Sequence, residues 1–424
     1  MGSFEIRNVR ALEILDSRAR PTLAVTLTLG DGTSAWAGVP SGASTGSREA
    51  VELRDGDPAR YGGQGVLGAV GNVNGEIADL LRGRPWGSLD EVDQALRDLD
   101  GTPTKARLGA NALVGVSMAL ARALTAASRQ PLHAWLVPDG VTPRLPVPHF
   151  NVLNGGVHAP NPLEFQEFMV APLGAPSFAE AMRAGAEVYA ALRRRLADRG
   201  FVTGLGDEGG FAPDVRTPEE VLDLLVAAIS DAGYTAGRDG VAIALDPAAS
   251  EFRDDDGRYT VAGDRLGSDD MVERYAAIID QYPVWSIEDG LAENDWDGWQ
   301  TLTDRLGRRV QLVGDDIFVT NPAIITDAIA KGIGNAALIK LNQIGTVTET
   351  LEAMRICRDH DYAQMVSHRS GETEDAFIAD LAVATGCGQL KTGAPARGER
   401  VAKYNRLIEI EANTPTLPYG AARA

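Results

Sequence analysis

Six apolar runs each close on a residue that can do chemistry. Asp246 ends Val241-Ala-Ile-Ala-Leu-Asp246, Glu288 ends Val284-Trp-Ser-Ile-Glu288, and Asp315 ends Val310-Gln-Leu-Val-Gly-Asp315. Lys340 ends Ala337-Leu-Ile-Lys340, His368 ends Gln364-Met-Val-Ser-His368, and Lys391 ends Gly388-Gln-Leu-Lys391. Successive end residues are 42, 27, 25, 28 and 23 positions apart. Three carboxylates gathered in one place repel each other, and a hard divalent cation relieves that repulsion. Oxygen ligands suit Mg²⁺, whereas neither Cys-x-x-Cys nor His-x-x-x-His occurs to suit zinc. Each carboxylate alone reads equally well as a helix cap or a surface group. Three at matching strand ends, with two lysines, make the stronger signal. Lys340 stands in an apolar strand, where an ammonium is costly unless it is paired or sheds its proton. It therefore faces carboxylates or a ligand, or serves as a base. On that strand alone, a lysine whose head snorkels to solvent reads as well.

Three further stretches are dense in polar groups. Asn154-Gly-Gly-Val-His158 leads to Gln166-Glu167-Phe168. Gly204-Leu-Gly-Asp207-Glu208-Gly-Gly210-Phe-Ala-Pro213 contains GxGxxG, but Pro213 and the trailing glycines speak against a helix opening there, so a dinucleotide site is rejected. A tight loop presenting Glu208 fits better, against a merely solvated carboxylate. Arg369-Ser370-Gly371 offers a guanidinium, a hydroxyl and backbone N–H groups to a phosphate, although Ser370-Gly-Glu-Thr-Glu-Asp also reads as ordinary capping chemistry. Together these groups suit a ligand bearing phosphate and carboxylate. Lys340 removes a proton α to the carboxylate, metal stabilises the charge that develops, and Glu208 protonates a leaving hydroxyl.

The elements that must position these groups follow from periodicity. Helical patterns such as Met271 to Ile279 and Val347 to His360 fill the gaps between the apolar runs. That rhythm is a (β/α) barrel, which gathers its chemistry at the C-terminal ends of its strands. Before it, residues 3–40 read as a β-meander turning at Gly30-Asp31-Gly32. Pro40-Ser41-Gly42-Ala43-Ser44-Thr45-Gly46 reads as a mobile functional loop or a linker, with a helix expected from Ser47. Helices are expected over Val66 to Leu81, Leu89 to Leu99 and Ala110 to Ala127. The predicted organisation is an α+β N-terminal domain at 1–137, a Pro-rich linker at 138–148, and a barrel at 149–424.

Composition bounds the partners. The 424 residues carry a net charge of −19, which disfavours nucleic acid and anionic membranes. Two cysteines form no disulfide framework and suggest a reducing compartment. Met1-Gly2 is a weak myristoylation cue, and no apolar run reads as long enough to cross a membrane. A cytoplasmic soluble enzyme is the expectation.

The sequence resembles enolase, phosphopyruvate hydratase, over nearly its whole length. The matching stretches are Ser41-Gly-Ala-Ser-Thr-Gly46, Glu52-Leu-Arg-Asp-Gly-Asp57, Asn154-Gly-Gly-x-His158, Gln166-Glu-Phe-Met169 and Gly206-Asp-Glu-Gly-Gly-Phe-Ala-Pro213. They continue through Ala248-Ala-Ser-Glu-Phe252, Ser286-Ile-Glu-Asp289, Gly314-Asp-Asp316, Lys340-Leu-Asn-Gln-Ile-Gly345, Ser367-His-Arg-Ser-Gly-Glu-Thr-Glu-Asp375 and Gly388-Gln-Leu-Lys-Thr-Gly-Ala-Pro395. The resemblance implies an enolase-type (β/α)8 barrel and two Mg²⁺ per active site. Asp246, Glu288 and Asp315 would hold the first ion. Ser44, on a closing loop, would join the second with substrate phosphate. It implies Lys340 as base and Glu208 as acid, supported by Glu167 and His158. Lys391 would take the substrate carboxylate and Arg369 and Ser370 the phosphate, with Gln166, His368 and Ala43 also at the substrate. A lysine base with Mg²⁺ is the known arrangement of that superfamily. A homodimer or homo-octamer is implied as well.

Several positions depart from the usual pattern. Ala19-Arg20 stand where Gly-Asn is usual, Pro247 where Val or Cys is common, Gly290 where Pro is usual, and Gly398 where Ser is usual; Pro160 and Pro162 lie in the loop after His158. The expected reaction is reversible dehydration of 2-phosphoglycerate to phosphoenolpyruvate. The departures motivate an alternative, a carboxyphosphonoenolpyruvate synthase acting on phosphonoformate in phosphonate biosynthesis.

Overall fold

The computed structural model describes residues 3–43 and 45–420. Ser44 and the Met1-Gly2 start lie outside them. The chain opens with a meander of β1 (Phe4–Leu15), β2 (Pro21–Leu29) and β3 (Ser34–Gly38), joined on the far side of β1 by the short β4 (Pro85–Trp86). The helix Ala110–Ala127 lies across this sheet. It approaches so closely that a Cβ at Gly115 would stand 2.7 Å from Val25 Cγ2 and 2.9 Å from Val39 Cγ2. This helix corrects the expectation that no apolar run approaches a membrane-spanning length. It has 18 residues with a mean hydropathy of 1.4, yet 83% of it is buried, which is the burial of a core helix.

The barrel strands are β5 (Val147–Asn154), β6 (Glu167–Ala171), β7 (Ala242–Asp246), then, after a small hairpin of β8 (Tyr259–Val261) and β9 (Asp264–Leu266), β10 (Val284–Glu288), β11 (Gln311–Gly314), β12 (Ala336–Ile339), β13 (Ala363–Ser367) and β14 (Gln389–Lys391). They close in the order β10-β11-β12-β13-β14-β5-β6-β7. Six of these strands are the apolar runs read from sequence. All neighbours are parallel except around β6, which runs antiparallel to both β5 and β7. This reversal matters for the site. Glu167 begins its strand, yet pairs with Asp246, which ends β7, so both face the same mouth. β5 starts inside the segment expected to be a linker.

Local signals start four of the helices, two of them, at Leu89 and Val347, where the sequence places them. Ser88, Ser177, Thr217 and Thr346 each accept a hydrogen bond from the N–H three residues on, at the heads of Leu89–Asp100, Phe178–Asp198, Pro218–Asp231 and Val347–Asp359. The helix expected from Ser47 does not form. Tertiary contacts take its backbone groups: Ala50 N–H reaches Gln343 O at 2.8 Å, Val51 N–H reaches Thr104 O at 2.7 Å, and Val51 O receives Ala110 N–H at 2.8 Å. The first of these bonds ties the segment to the barrel and the other two tie it to the N-terminal helices, and together they outweigh local propensity.

Ala19 adopts φ 59°, a left-handed conformation that an L side chain resists. Ala19→Gly should stabilise the protein by up to about 1 kcal/mol in chemical denaturation, the relief of strain being partly offset by unfolded-chain entropy. A destabilised variant would contradict this. Asp93 is fully buried and accepts from Ser117 Oγ (2.9 Å), Thr348 N (3.0 Å) and Thr348 Oγ1 (2.6 Å). Burial pushes its carboxyl up to about 6. The folded state thus holds this proton more tightly than the unfolded chain. The stability it confers is complete below about pH 4 and is lost as pH rises toward about 6. Asp93→Asn cannot ionise, so its stability relative to the parent should climb across that window. Parallel melting-temperature profiles would refute the assignment.

Candidate active site

The strand ends converge on a cavity of about 20 Å³, room for about one water. Its lining includes His158, Gln166, Glu167, Glu208, Asp246, Asp315, Lys340, His368, Arg369, Ser370 and Lys391. Glu288 is not among the lining residues but holds Lys391. Ala43 is exposed and does not line the cavity, and Ser44 lies outside the described residues.

The two lysines divide the carboxylates between them. Lys391 Nζ is 2.7 Å from Glu288 Oε1, 3.1 Å from Asp246 Oδ2 and 3.3 Å from Glu167 Oε2. Lys340 Nζ is 2.5 Å from Asp315 Oδ2, whose other oxygen accepts from Gln343 Nε2 at 2.8 Å. Burial pulls both lysines down, but the carboxylates win. Glu167, Glu288 and Asp246 hold Lys391 well above its ordinary range, and Asp315 raises Lys340. The expected metal trio is therefore split, with two members on Lys391 and one on Lys340.

Opposite Lys340, the ligand atoms of His158, Glu167 and Glu208 lie within 4.8 Å of one another. Burial raises Glu167 well above the carboxylate range, and the neighbouring Glu208 charge pushes the same way. Burial also raises Glu208, but the His368 and His158 imidazoles and Arg400 outweigh it, and Glu208 settles well below that range. The proton of the pair accordingly sits on Glu167. Asn151 Nδ2 donates to Glu208 Oε2 at 2.9 Å. Burial lowers His158, and drops His368 to about 4. The tautomer of His368 follows from its neighbour. Arg400 Nη1 can only donate and lies 2.7 Å from Nδ1, so Nε2 carries the hydrogen, 3.2 Å from Glu208 Oε2 but without a well-formed bond.

Arg369 also lines the cavity. Its Nη1 and Nη2 donate to the two oxygens of Glu49 at 3.0 and 3.1 Å, and Nη1 also reaches Asn342 Oδ1 at 3.0 Å. Ser370 Oγ accepts from Arg18 Nη1 at 3.2 Å.

Comparison with known proteins decides the family. The family model for the enolase N-terminal domain matches residues 6–136, and that for the enolase C-terminal TIM barrel domain matches residues 142–419. An enolase of Rubrobacter xylanophilus is 55% identical over 409 residues, covering 96% of this chain and 94% of the relative. The chain belongs to the enolase family. It is a family enzyme of the hydro-lyase class.

Around the site the enolase fold brings polar groups that sequence reasoning missed. Glu49 lies between two matching motifs and Gln343 within one, but neither carries a periodic signal. Arg400 does carry one. On the helix Gly398–Asn413 it shares a buried face with Lys403, Tyr404, Leu407 and Ile410, and a cation on an apolar helical face calls for a partner. Its guanidinium holds Arg369 O and Ser370 O, both at 2.6 Å, and Asp207 O at 3.2 Å. The residues also fit a divalent cation. Asp246, Glu288 and Asp315 offer hard oxygens, and Glu288 Oε2 is buried with no hydrogen-bond partner among the described residues. Replacing Arg400 by Met would leave three carbonyls and an imidazole without their donor. The expected cost is several kcal/mol, read as a melting temperature lower by on the order of 10 °C. A loss under 2 °C would show that the guanidinium is dispensable.

Proposed function

We propose that the enzyme interconverts 2-phosphoglycerate and phosphoenolpyruvate with two Mg²⁺ per site. The observation that carries this reading is that Lys340, just past the end of β12, and Glu167, on β6 four strands away round the barrel, line one cavity together with Glu208 and Arg369. Lys340 Nζ takes the C2 proton. The C3 hydroxyl leaves as water with the proton held by the Glu167–Glu208 pair, Glu208 delivering it and His158 standing beside both. Glu208 refills from Glu167, whose affinity for the proton burial and the Glu208 charge raise. Arg369 and Ser370 take the phosphate, with Gln166, His368 and Lys391 around the carboxylate end.

Asp246, Glu288 and Asp315 would hold the first Mg²⁺ and Ser44 would contribute to the second; when bound, the metal supplies positive charge for the negative charge that develops on the substrate carboxylate. Lys340 must be neutral to act as base. Once Asp315 is engaged elsewhere, burial and the Arg369 and Lys391 charges all press it toward that state.

The phosphonate alternative is not favoured. The similarity to an enolase spans 96% of the chain, and Ala19, Arg20, Pro160, Pro162, Pro247, Gly290 and Gly398 do not line the cavity. The proposal places the enzyme in the cytoplasm as a homodimer or homo-octamer. Exposed Leu12, Leu15 and Trp36 supply apolar surface for a second copy.

Lys340→Ala should fold and bind Mg²⁺ yet lose turnover by about 10²–10⁴-fold or more, and should lose solvent exchange of the substrate C2 hydrogen, followed by NMR. Persistent exchange would remove Lys340 as base.

A further inference from the structure

We propose that Glu49 is an internal occupant of the phosphate position, a positioning residue that grips Arg369 until substrate phosphate exchanges with it. This rests on the reading of Arg369 as the phosphate-binding group.

Glu49 and Arg369 are 320 residues apart, yet both carboxylate oxygens meet both terminal nitrogens of the guanidinium. This paired two-bond geometry is also the one a phosphate would use on an arginine. Both side chains are buried, at 8% and 3% exposure. A phosphate brought to that guanidinium meets the Glu49 charge in a poorly screened setting. Repulsion between them favours exchange over sharing.

The exchange would be felt beyond Arg369. Glu49 Oε1 also accepts from Gly46 N at 3.2 Å and from Gln343 Nε2 at 3.2 Å. Gly46 belongs to the Pro40–Gly46 loop, and Gly42 of that loop lies so close that a Cβ there would stand 2.2 Å from Arg369 Nη2. Gln343 leads the other way. Its Nε2 holds Asp315 Oδ1, and Asp315 holds Lys340. Thr320 Oγ1 fixes the Gln343 amide by donating to its Oε1 at 2.7 Å, and receives Lys340 N–H at 2.9 Å. One carboxylate therefore joins the loop, the phosphate arginine and the base-bearing pair. Phosphate arrival would release Glu49 from Arg369, change what Gln343 offers Asp315, and reset the loop at Gly46.

The test uses the full-length enzyme in Mg²⁺ buffer, with inorganic phosphate binding followed by calorimetry and 2-phosphoglycerate turnover by absorbance. Glu49→Gln removes the competing charge. Phosphate should bind at least fivefold tighter and KM should fall, while kcat drops tenfold or more because the link through Gln343 is disturbed. A carboxylate that only braced the fold would give the opposite, weaker phosphate binding and a higher KM. Unchanged or weaker phosphate binding in Glu49→Gln overturns the proposal. Glu49→Asp keeps the charge but is one methylene shorter. It should lower kcat without the gain in phosphate affinity, and a gain equal to that of Gln would also overturn the exchange. Should Glu49→Gln fail to fold, Glu49→Asp decides alone: phosphate binding fivefold or more tighter than in the parent, with the charge retained, would overturn the exchange, and unchanged or weaker binding with a lowered kcat would support it. Arg369→Gln separates the two readings. If phosphate binding ignores it, the phosphate assignment of Arg369 fails. If binding is lost there but Glu49→Gln is silent, the exchange alone fails.

Discussion

The governing constraint is the burial of many like charges at one barrel mouth. Glu167, Asp246, Glu288, Asp289 and Asp315 are all at least nine-tenths buried, and at Glu167, Glu288 and Asp289 desolvation and neighbouring carboxylates both oppose ionisation. Two unit charges 4 Å apart interact by about 4 kcal/mol at an effective dielectric of 20. Such a set persists only if cations divide it. Lys391 takes three carboxylates and Lys340 takes one, while Asp289 is satisfied by the backbone N–H groups of Asp315 and Asp316 at 2.8 and 2.9 Å. The same arrangement that stabilises the folded mouth also primes it. A metal ion competing for those oxygens and a substrate anion competing for those cations would exchange with partners already in place.

The scaffold serves this constraint. A closed barrel places strand ends in a ring, so residues far apart in sequence become neighbours. The reversed strand β6 is what adds Glu167 to that ring from the opposite chain direction. Outside the barrel, the helix Gly398–Asn413 buries Arg400 and Lys403 to hold the 368–373 loop. Lys403 Nζ reaches Glu372 Oε2 at 2.9 Å and Thr373 O at 2.6 Å. The loop that carries Arg369 and Ser370 is therefore pinned by cations from below and by Glu49 and Arg18 from above.

Much of this was legible beforehand, for a physical reason. Strand-end residues Asp246, Glu288, Asp315, Lys340, His368 and Lys391 break apolar runs, and a polar group at the end of a buried strand has few other uses. Strands β5 and β6 were not legible by that rule, because Pro148, His149, Asn151 and Asn154 interrupt the first and Glu167 begins the second rather than ending it. The helix expected from Ser47 failed because backbone groups there bond to Gln343, Thr104 and Ala110, partners that no local window contains.

The sequence by itself determined the composition of the site, the strand–helix rhythm that gathers it, and the family. Residue type, spacing and helix caps are local properties, and the chain carries them wherever it goes. Tertiary structure alone decided who pairs with whom. Lys391 lies among Glu167, Asp246 and Glu288; Lys340 lies on Asp315; and Arg369 is gripped by Glu49. Those pairings set which groups hold protons, through burial and charge at distances that only the closed barrel fixes.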